Sequence, residues 1–302
     1  LFQTNKDFKE IDVYVMDCEI TEANKKKLTG IAEEYNRKII FVNMNDYITK
    51  LKLNMGAKRT PVALYLRLFL SSVIPPTYDK VLYLDCDTII LDSLRKLWDI
   101  DMTGYMVAGV KDTVERYYFR KIGLFPSDIY INSGVLLVNL AKWREENIVR
   151  KFIEFIDTFD GNVPHHDQGV INAVCNKKKL VISPRYNVYS NMFSFSAKSI
   201  RRIYYMNDYY TQRELDIAKK HPAILHFTTG LVGRPWEEYC THPMKDEFIK
   251  VVKQSPWNED TPLPDSRRLS LKVFTFIYKN TPIFKSETVY RIGNRVKELA
   301  HI

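Results

Sequence analysis

Val81-Leu82-Tyr83-Leu84-Asp85-Cys86-Asp87 is the stretch on which the reading of the fold turns. Its four leading apolar residues have the pattern of a parallel strand covered on both faces. Residues i and i+2 at the end of a strand project the same way, so Asp85 and Asp87 point together into the crevice where open α/β sheets bind ligands. Two neighbouring carboxylates repel unless a cation sits between them. A hard divalent ion bridging to a diphosphate answers that demand, with Mg²⁺ or Mn²⁺ the suitable ions. The bland alternative is a strand that ends in an acidic turn, and D-x-D alone is a weak pattern.

Outward from that strand, residues 13–16 and 39–42 read as strands on either side of a helix over 21–36 capped by Thr21. Thr60-Pro61 has the form of an N-cap and first-turn proline opening a helix to about residue 73. This order of strand, helix, strand, helix, strand predicts an α/β open sheet. Downstream, residues 105–110, 135–139, 180–183 and 223–227 read as strands, and 148–159 and 167–175 as helices, the last with Asp167 as its natural N-cap. Residues 186–210, rich in Asn, Ser, Tyr and Phe and without a period, read as surface loops lining a site. The Pro-rich stretch 255–264 reads as a linker.

The chain has 302 residues, 45% hydrophobic and 13% aromatic, which excludes a disordered or peptide-sized module. No apolar run reaches the ~18 residues of a membrane span. The four cysteines show no C-x-x-C spacing and read as reduced thiols of a cytoplasmic protein. The formal charge of +9 favours an anionic partner, and eight basic against three acidic residues in 265–302 place +5 of it in the tail. Leu269, Leu271, Val273, Phe274, Phe276, Ile277 and Tyr278 interleave there with Arg267, Arg268, Lys272 and Lys279. That mixture suggests an interfacial segment on an anionic membrane surface; a terminal helix with a solvated basic face is the plainer alternative. No recognisable nucleic-acid motif organises these charges.

Tyr65-x-Arg67, residues 79–87, residues 131–140, His166-Asp167-Gln168 and Leu225-His226-Phe227 followed by Arg234-Pro235-Trp236 occur in this order. Together they resemble the family 8 glycosyltransferases, which include lipopolysaccharide galactosyl- and glucosyltransferases and glycogenin. The resemblance implies a GT-A, Rossmann-like α/β fold with a mixed central sheet flanked by helices, over residues 1–255, followed by a basic aromatic tail over 256–302. It implies a retaining transfer of a hexose from UDP-glucose or UDP-galactose to a glycan or glycolipid acceptor, with Mn²⁺ as the first-choice ion. The metal ligands it implies are Asp85, Asp87 and His226. Arg67, Cys86, Gly230, Gly233 and Arg234 join the two aspartates on the diphosphate side, where Arg234 replaces the usual Lys. Asp112, Asn132, Asp167 and Gln168 would hold the sugar, with Gln168 near the anomeric carbon and Asp167, Gln168 and Arg234 serving the reaction. The location implied is cytoplasmic, on the inner face of the cytoplasmic membrane. The chain opens Leu1-Phe2-Gln3-Thr4, which by the resemblance falls after the first strand and its nucleotide loop. A catalytically impaired sugar- or nucleotide-binding remnant is therefore the competing reading. A D-x-D-x-T phosphohydrolase is a third, but it needs a Gly-Asp-type acidic strand end, and no Gly-Asp or Asp-Asp pair occurs in the chain.

Overall fold

The fold is that of a computed structural model describing residues 1–47, 49, 62–259, 261–265, 267, 269–281, 287–288 and 290–292. Its strands in chain order are β1 (Asp12–Asp17), β2 (Lys38–Asn43), β3 (Lys80–Leu84), β4 (Thr88–Ile90) and β5 (Val107–Lys111). They continue as β6 (Ile131–Asn139), β7 (Lys179–Val181), β8 (Val188–Tyr189) and β9 (Ile224–His226). Among the described residues they form three sheets: β1-β2, β3-β6-β5-β7 and β4-β9-β8. The helix Glu22–Glu34 crosses between β1 and β2, which pair in parallel. It begins where expected, because the Thr21 hydroxyl accepts from the Asn24 N–H.

The open sheet is mixed rather than parallel around β3. That strand pairs antiparallel with β6 at one end of its sheet and is half-buried at all five positions. The expectation of a doubly covered parallel strand is therefore corrected. An apolar run reads alike at the centre and at the edge of a sheet, and here the Tyr83 ring is covered by a cation, with the Arg67 guanidinium 4.5 Å from its centroid. The doubly covered strand is β6, buried over residues 131–138. Its side chains alternate between two apolar layers, Val135 and Leu137 on one face and Leu136 and Val138 on the other. The helices Leu140–Glu145, Ile148–Asp157 and His166–Val174 close one layer through Trp143, Phe152 and Ile171. Ala197–Ile203 and Gln212–Lys220 close the other through Ile200 and Leu215.

Three further expectations are revised. Residues 62–73 form a 3₁₀ segment, Val62–Phe69, followed by a single α turn, Leu70–Val73, while Thr60-Pro61 lie outside the described residues. The stretch 186–210 is not surface loop: it contains β8, the helices Ser190–Ser194 and Ala197–Ile203, and buried Tyr186, Tyr189, Tyr204, Tyr209 and Tyr210. Its polar look comes from tyrosines whose rings are core and whose hydroxyls are bonded inside, such as Tyr189 to Tyr209 at 2.6 Å. Asp167 is not an N-cap, because that place belongs to left-handed His165.

The tail helix Leu269–Asn280 lies against the body through buried Thr275 and through Tyr278, which meets Phe195 and donates to the Ser194 carbonyl. Leu269 and Phe276 are 76% and 68% exposed and Val273 49%, at i, i+7 and i+4 on its outer side. Among the described residues no helix is long and apolar enough to cross a membrane.

Candidate active site

Asp85, Cys86 and Asp87 form the turn at which the chain leaves the four-stranded sheet for the three-stranded one. Each aspartate is tied to one of the two. The Asp85 N–H donates to the Gly134 carbonyl at 2.8 Å, extending the β3–β6 ladder, and the Asp87 carbonyl accepts from the Phe227 N–H at 2.9 Å beside β9. Thr88 stands opposite His226 in the β4–β9 register, so the imidazole returns to the carboxylates from the next strand. Its Nε2 lies 3.0 Å from Asp87 Oδ1 and 3.8 Å from Asp85 Oδ2.

These three residues are a donor set that could hold a metal ion, with ligand atoms all within 4.8 Å of one another. Carboxylate oxygens and one imidazole suit Mn²⁺. Two further observations fit such an ion. Fully buried Asn187 meets His226 Nδ1 with its Oδ1 at 2.9 Å, so Nδ1 donates there and Nε2 is the nitrogen turned toward the carboxylates. Burial pushes the Asp87 carboxyl up, but the His226 hydrogen bond, the His226 charge and the Arg234 charge outweigh it and hold the group below its ordinary range.

Gly134 makes this approach geometrically feasible. A Cβ at that position would stand 2.1 Å from His226 Cε1 and 2.8 Å from Asp85 Oδ2. Gly134→Ala is expected to cost about 1–3 kcal/mol of stability, since core and strand backbone leave little room for adjustment. It is also expected to weaken Mn²⁺ binding by roughly tenfold or more by displacing two of the three donors. Urea unfolding and a Mn²⁺ titration followed by electron paramagnetic resonance measure the two effects, and unchanged Mn²⁺ affinity would show that the trio is not the metal site.

A second cluster adjoins the first. Arg67 reaches from the 3₁₀ segment with its Nη2 3.0 Å from Asp85 Oδ1 and its Nε 2.9 Å from Asp167 Oδ2, and its Nη1 donates to the Ser133 carbonyl at 2.8 Å. Burial opposes the guanidinium charge, yet Asp167, Tyr83 and Asp85 more than restore it. For Asp167 burial prevails and raises the carboxyl against the pull of Arg67. The Ser133 hydroxyl donates to Asp167 Oδ2 at 3.1 Å, and the Ser133 N–H donates to Gln168 Oε1 at 3.0 Å. Gln168 Nε2 donates to Asp112 Oδ2 at 2.9 Å, Asn132 Nδ2 donates to the same oxygen at 3.1 Å, and Asn187 Nδ2 donates to Asn132 Oδ1 at 2.8 Å. Since Asn187 also holds His226, these contacts close a ring of side chains from Asp85 through Arg67, Asp167, Ser133, Gln168, Asp112, Asn132 and Asn187 to His226.

Eight of the twelve residues singled out from the sequence are thus gathered in one place: Arg67, Asp85, Asp87, Asp112, Asn132, Asp167, Gln168 and His226. Arg234 lies near them, its charge felt by Asp87, and its buried Nε has no hydrogen-bond partner among the described residues. Gly233 sits just before it with φ +73°, and Gly230 packs near Ser190. The Cys86 side chain is exposed. Sequence reasoning missed Ser133, Gly134, Asn187 and Tyr83, whose hydroxyl donates to Asp85 Oδ1 at 2.8 Å. Ser133 and Gly134 stood inside a quoted motif; only Asn187 carried no local signal. The D-x-D-x-T spacing is not met, because Thr88 follows Asp87 directly and spends its hydroxyl on the Asp85 carbonyl at 2.7 Å.

A mixed α/β fold with a D-x-D turn facing a strand-end histidine defines the class as a GT-A glycosyltransferase. Residues 1–240 match Glycosyl transferase family 8, and the chain belongs to that family. General stress protein A of Bacillus subtilis (strain 168) is 28% identical over 83% of this chain and 85% of its own. The lipopolysaccharide 1,2-glucosyltransferase of Escherichia coli (strain K12) is 23% identical over 83% of this chain and 71% of its own. Among solved structures, the galactosyltransferase LgtC in complex with donor and acceptor sugar analogs shares the fold with a TM-score of 0.65 at 24% identity, over 83% of this chain and 87% of that one. The bifunctional glycosyltransferase WbbM does so with a TM-score of 0.70 at 19% identity, over 85% of this chain and 46% of that one.

Proposed function

We propose that the protein is a metal-dependent retaining hexosyltransferase that moves glucose or galactose from a UDP-sugar to a glycan acceptor such as lipopolysaccharide or another cell-surface saccharide. The observation that carries this reading is the Asp85-Asp87-His226 trio joined by one ring of side chains to Asp112, Asn132, Asp167 and Gln168. Asp85, Asp87 and His226 would hold Mn²⁺, with Mg²⁺ as the alternative ion. When bound, the ion supplies positive charge to the UDP diphosphate. Arg234, whose Nε has no hydrogen-bond partner among the described residues, adds a second cation there, and the bend at Gly233 lets backbone approach the phosphates. Asp112, Asn132 and Asp167 would hold the sugar hydroxyls, and Gln168 would lie near the anomeric carbon.

Retention through a covalent intermediate asks for a carboxylate nucleophile. Gln168 offers an amide instead, already engaged at both ends, while Asp167 faces Arg67 and Asp112 accepts three hydrogen bonds. This arrangement supports front-face transfer. The acceptor hydroxyl oxygen bonds to C1 as the C1–oxygen bond to UDP breaks, and its proton passes to the departing diphosphate oxygen. Stabilisation of that oxygen by fixed charge then supplies most of the rate. UDP release from UDP-glucose and UDP-galactose tests the reading. Turnover that needs Mn²⁺ and stops with a chelator is expected; a folded chain inert toward both donors would make it a binding remnant.

The tail, taken as residues 256–302, is the proposed contact with an anionic membrane surface on the cytoplasmic side. Leu269, Val273 and Phe276 present an apolar outer stripe, flanked by Lys272 and Lys279. Sedimentation with vesicles containing anionic lipid is expected to capture the full chain and to lose most of that capture when Leu269, Val273 and Phe276 are changed together to Ser. Equal capture of both would refute the contact.

A further inference from the structure

Lys179 is a buried cation that the proposed chemistry does not use. It opens β7, is 6% exposed, and has its pKa lowered to about 8 by burial. Its Nζ donates to the Asn172 carbonyl at 2.7 Å and to Asn172 Oδ1 at 3.3 Å. The fully buried Asn172 side chain in turn treats Ile131 as one strand treats another: Oδ1 accepts from the Ile131 N–H at 2.8 Å, and Nδ2 donates to the Ile131 carbonyl at 2.8 Å. Nδ2 also donates to the Gln168 carbonyl at 2.9 Å. A side-chain amide keeps its shape when turned end for end, so shape does not choose its direction. The Ile131 N–H and carbonyl choose it, and the ammonium adds to that choice, because the reversed amide would also turn a donor toward Nζ.

The residues this amide ties together are neighbours of the site. Gln168 lies one turn before Asn172 on the same helix, and Asn132 and Ser133 follow Ile131 on β6. The helix also starts under backbone strain. His165 and His166 both have positive φ, 59° and 51°, and a Cβ at Gly169 would meet the Pro164 carbonyl oxygen at 2.0 Å. Strain of this kind persists only where the surroundings over-determine it. We infer that Lys179 and Asn172 are positioning residues: the clamp from β7 to Ile131 sets Gln168 against Ser133 and Asp112 and so aligns the two sides of the sugar site. The part that concerns turnover rests on the proposed function; the alignment itself does not.

Lys179→Met, which replaces the ammonium by an apolar chain of similar length, and Lys179→Arg, which keeps the charge, separate the possibilities. In ¹⁵N-labelled protein, Lys179→Met is expected to shift the side-chain amide signals of Asn172 and Gln168 while the backbone amides of Leu225 and His226 stay in place. With UDP-galactose or UDP-glucose and Mn²⁺, its kcat is expected to fall about tenfold or more, within the range for displaced supporting groups. The KM for the donor and the Mn²⁺ affinity should change less than about twofold, with Lys179→Arg recovering most of kcat. An unmoved Gln168 signal overturns the clamp, as does a kcat that falls only together with Mn²⁺ affinity and melting temperature. Should the wild type turn over neither donor, the proposed function fails and the amide signals alone decide.

Discussion

Asp87→Asn is expected to lower Mn²⁺-dependent turnover of the UDP-sugar by roughly 10²–10³-fold, the scale of removing one charge-stabilising group from an active site. The substitution keeps shape and removes charge. In the native protein the carboxylate stays ionised despite burial because His226 and Arg234 favour the anion. An amide oxygen still accepts a hydrogen bond but offers a metal far less. The backbone tie from the Phe227 N–H to the Asp87 carbonyl does not depend on the side chain, so the turn between the sheets should persist and the melting temperature should move little. Initial rates of UDP release across a Mn²⁺ titration, with a thermal melt of the same samples, check both statements. Activity retained at ordinary Mn²⁺ concentrations would remove Asp87 from the ligand set.

Arg67→Met is expected to be the most costly single change for the fold, at about 3–5 kcal/mol, because it leaves buried charge without its partner. Asp167 is 6% exposed and Arg67 lies within 3.0 Å of it and of Asp85, so one substitution strips the cation from two carboxylates. The Ser133 hydroxyl remains to Asp167 but is neutral. Adding Asp167→Asn should recover a good part of the loss, since the double variant no longer buries that orphan charge. Equilibrium urea unfolding of the two single variants and the double variant measures the coupling. Strict additivity of the two losses would mean that the pair contributes nothing as a pair.

Much of the site was legible because its signals are local. A strand followed by Asp85 and Asp87 announces two carboxylates on one side whatever the strand pairs with, and His226 ends its own short strand in the same way. Arg67 was legible through its place in a quoted motif, and the structure pairs it with two carboxylates, Asp85 and Asp167. The direction and place of β3 were not legible. They depend on β6, about fifty residues away, and an apolar run looks alike whether the strand lies in the middle of a sheet or at its end. The segment 186–210 misled for a related reason: its tyrosines gave it a polar look, yet their rings fill the core, the Tyr189 and Tyr209 hydroxyls pair with each other and Tyr210 donates to the Ile182 carbonyl.

By itself the sequence determined which groups could do chemistry here, a pair of carboxylates, an imidazole, two guanidinium groups and a set of amides, because ionisation and ligand character belong to residue type. Only the tertiary structure decided that they lie together. Asn187 links His226 to Asn132, Gly134 leaves the space in which the imidazole meets Asp85, and the buried Lys179 donates to Asn172, which donates to the Gln168 carbonyl. Each contact made by Asn187, Gly134 and Lys179 spans tens of residues of chain or more than one sheet or helix. Their strength comes from being closed off from water, where a hydrogen bond to a fixed partner has no solvent competitor. That is a property of packing, and no stretch of the chain carries it alone.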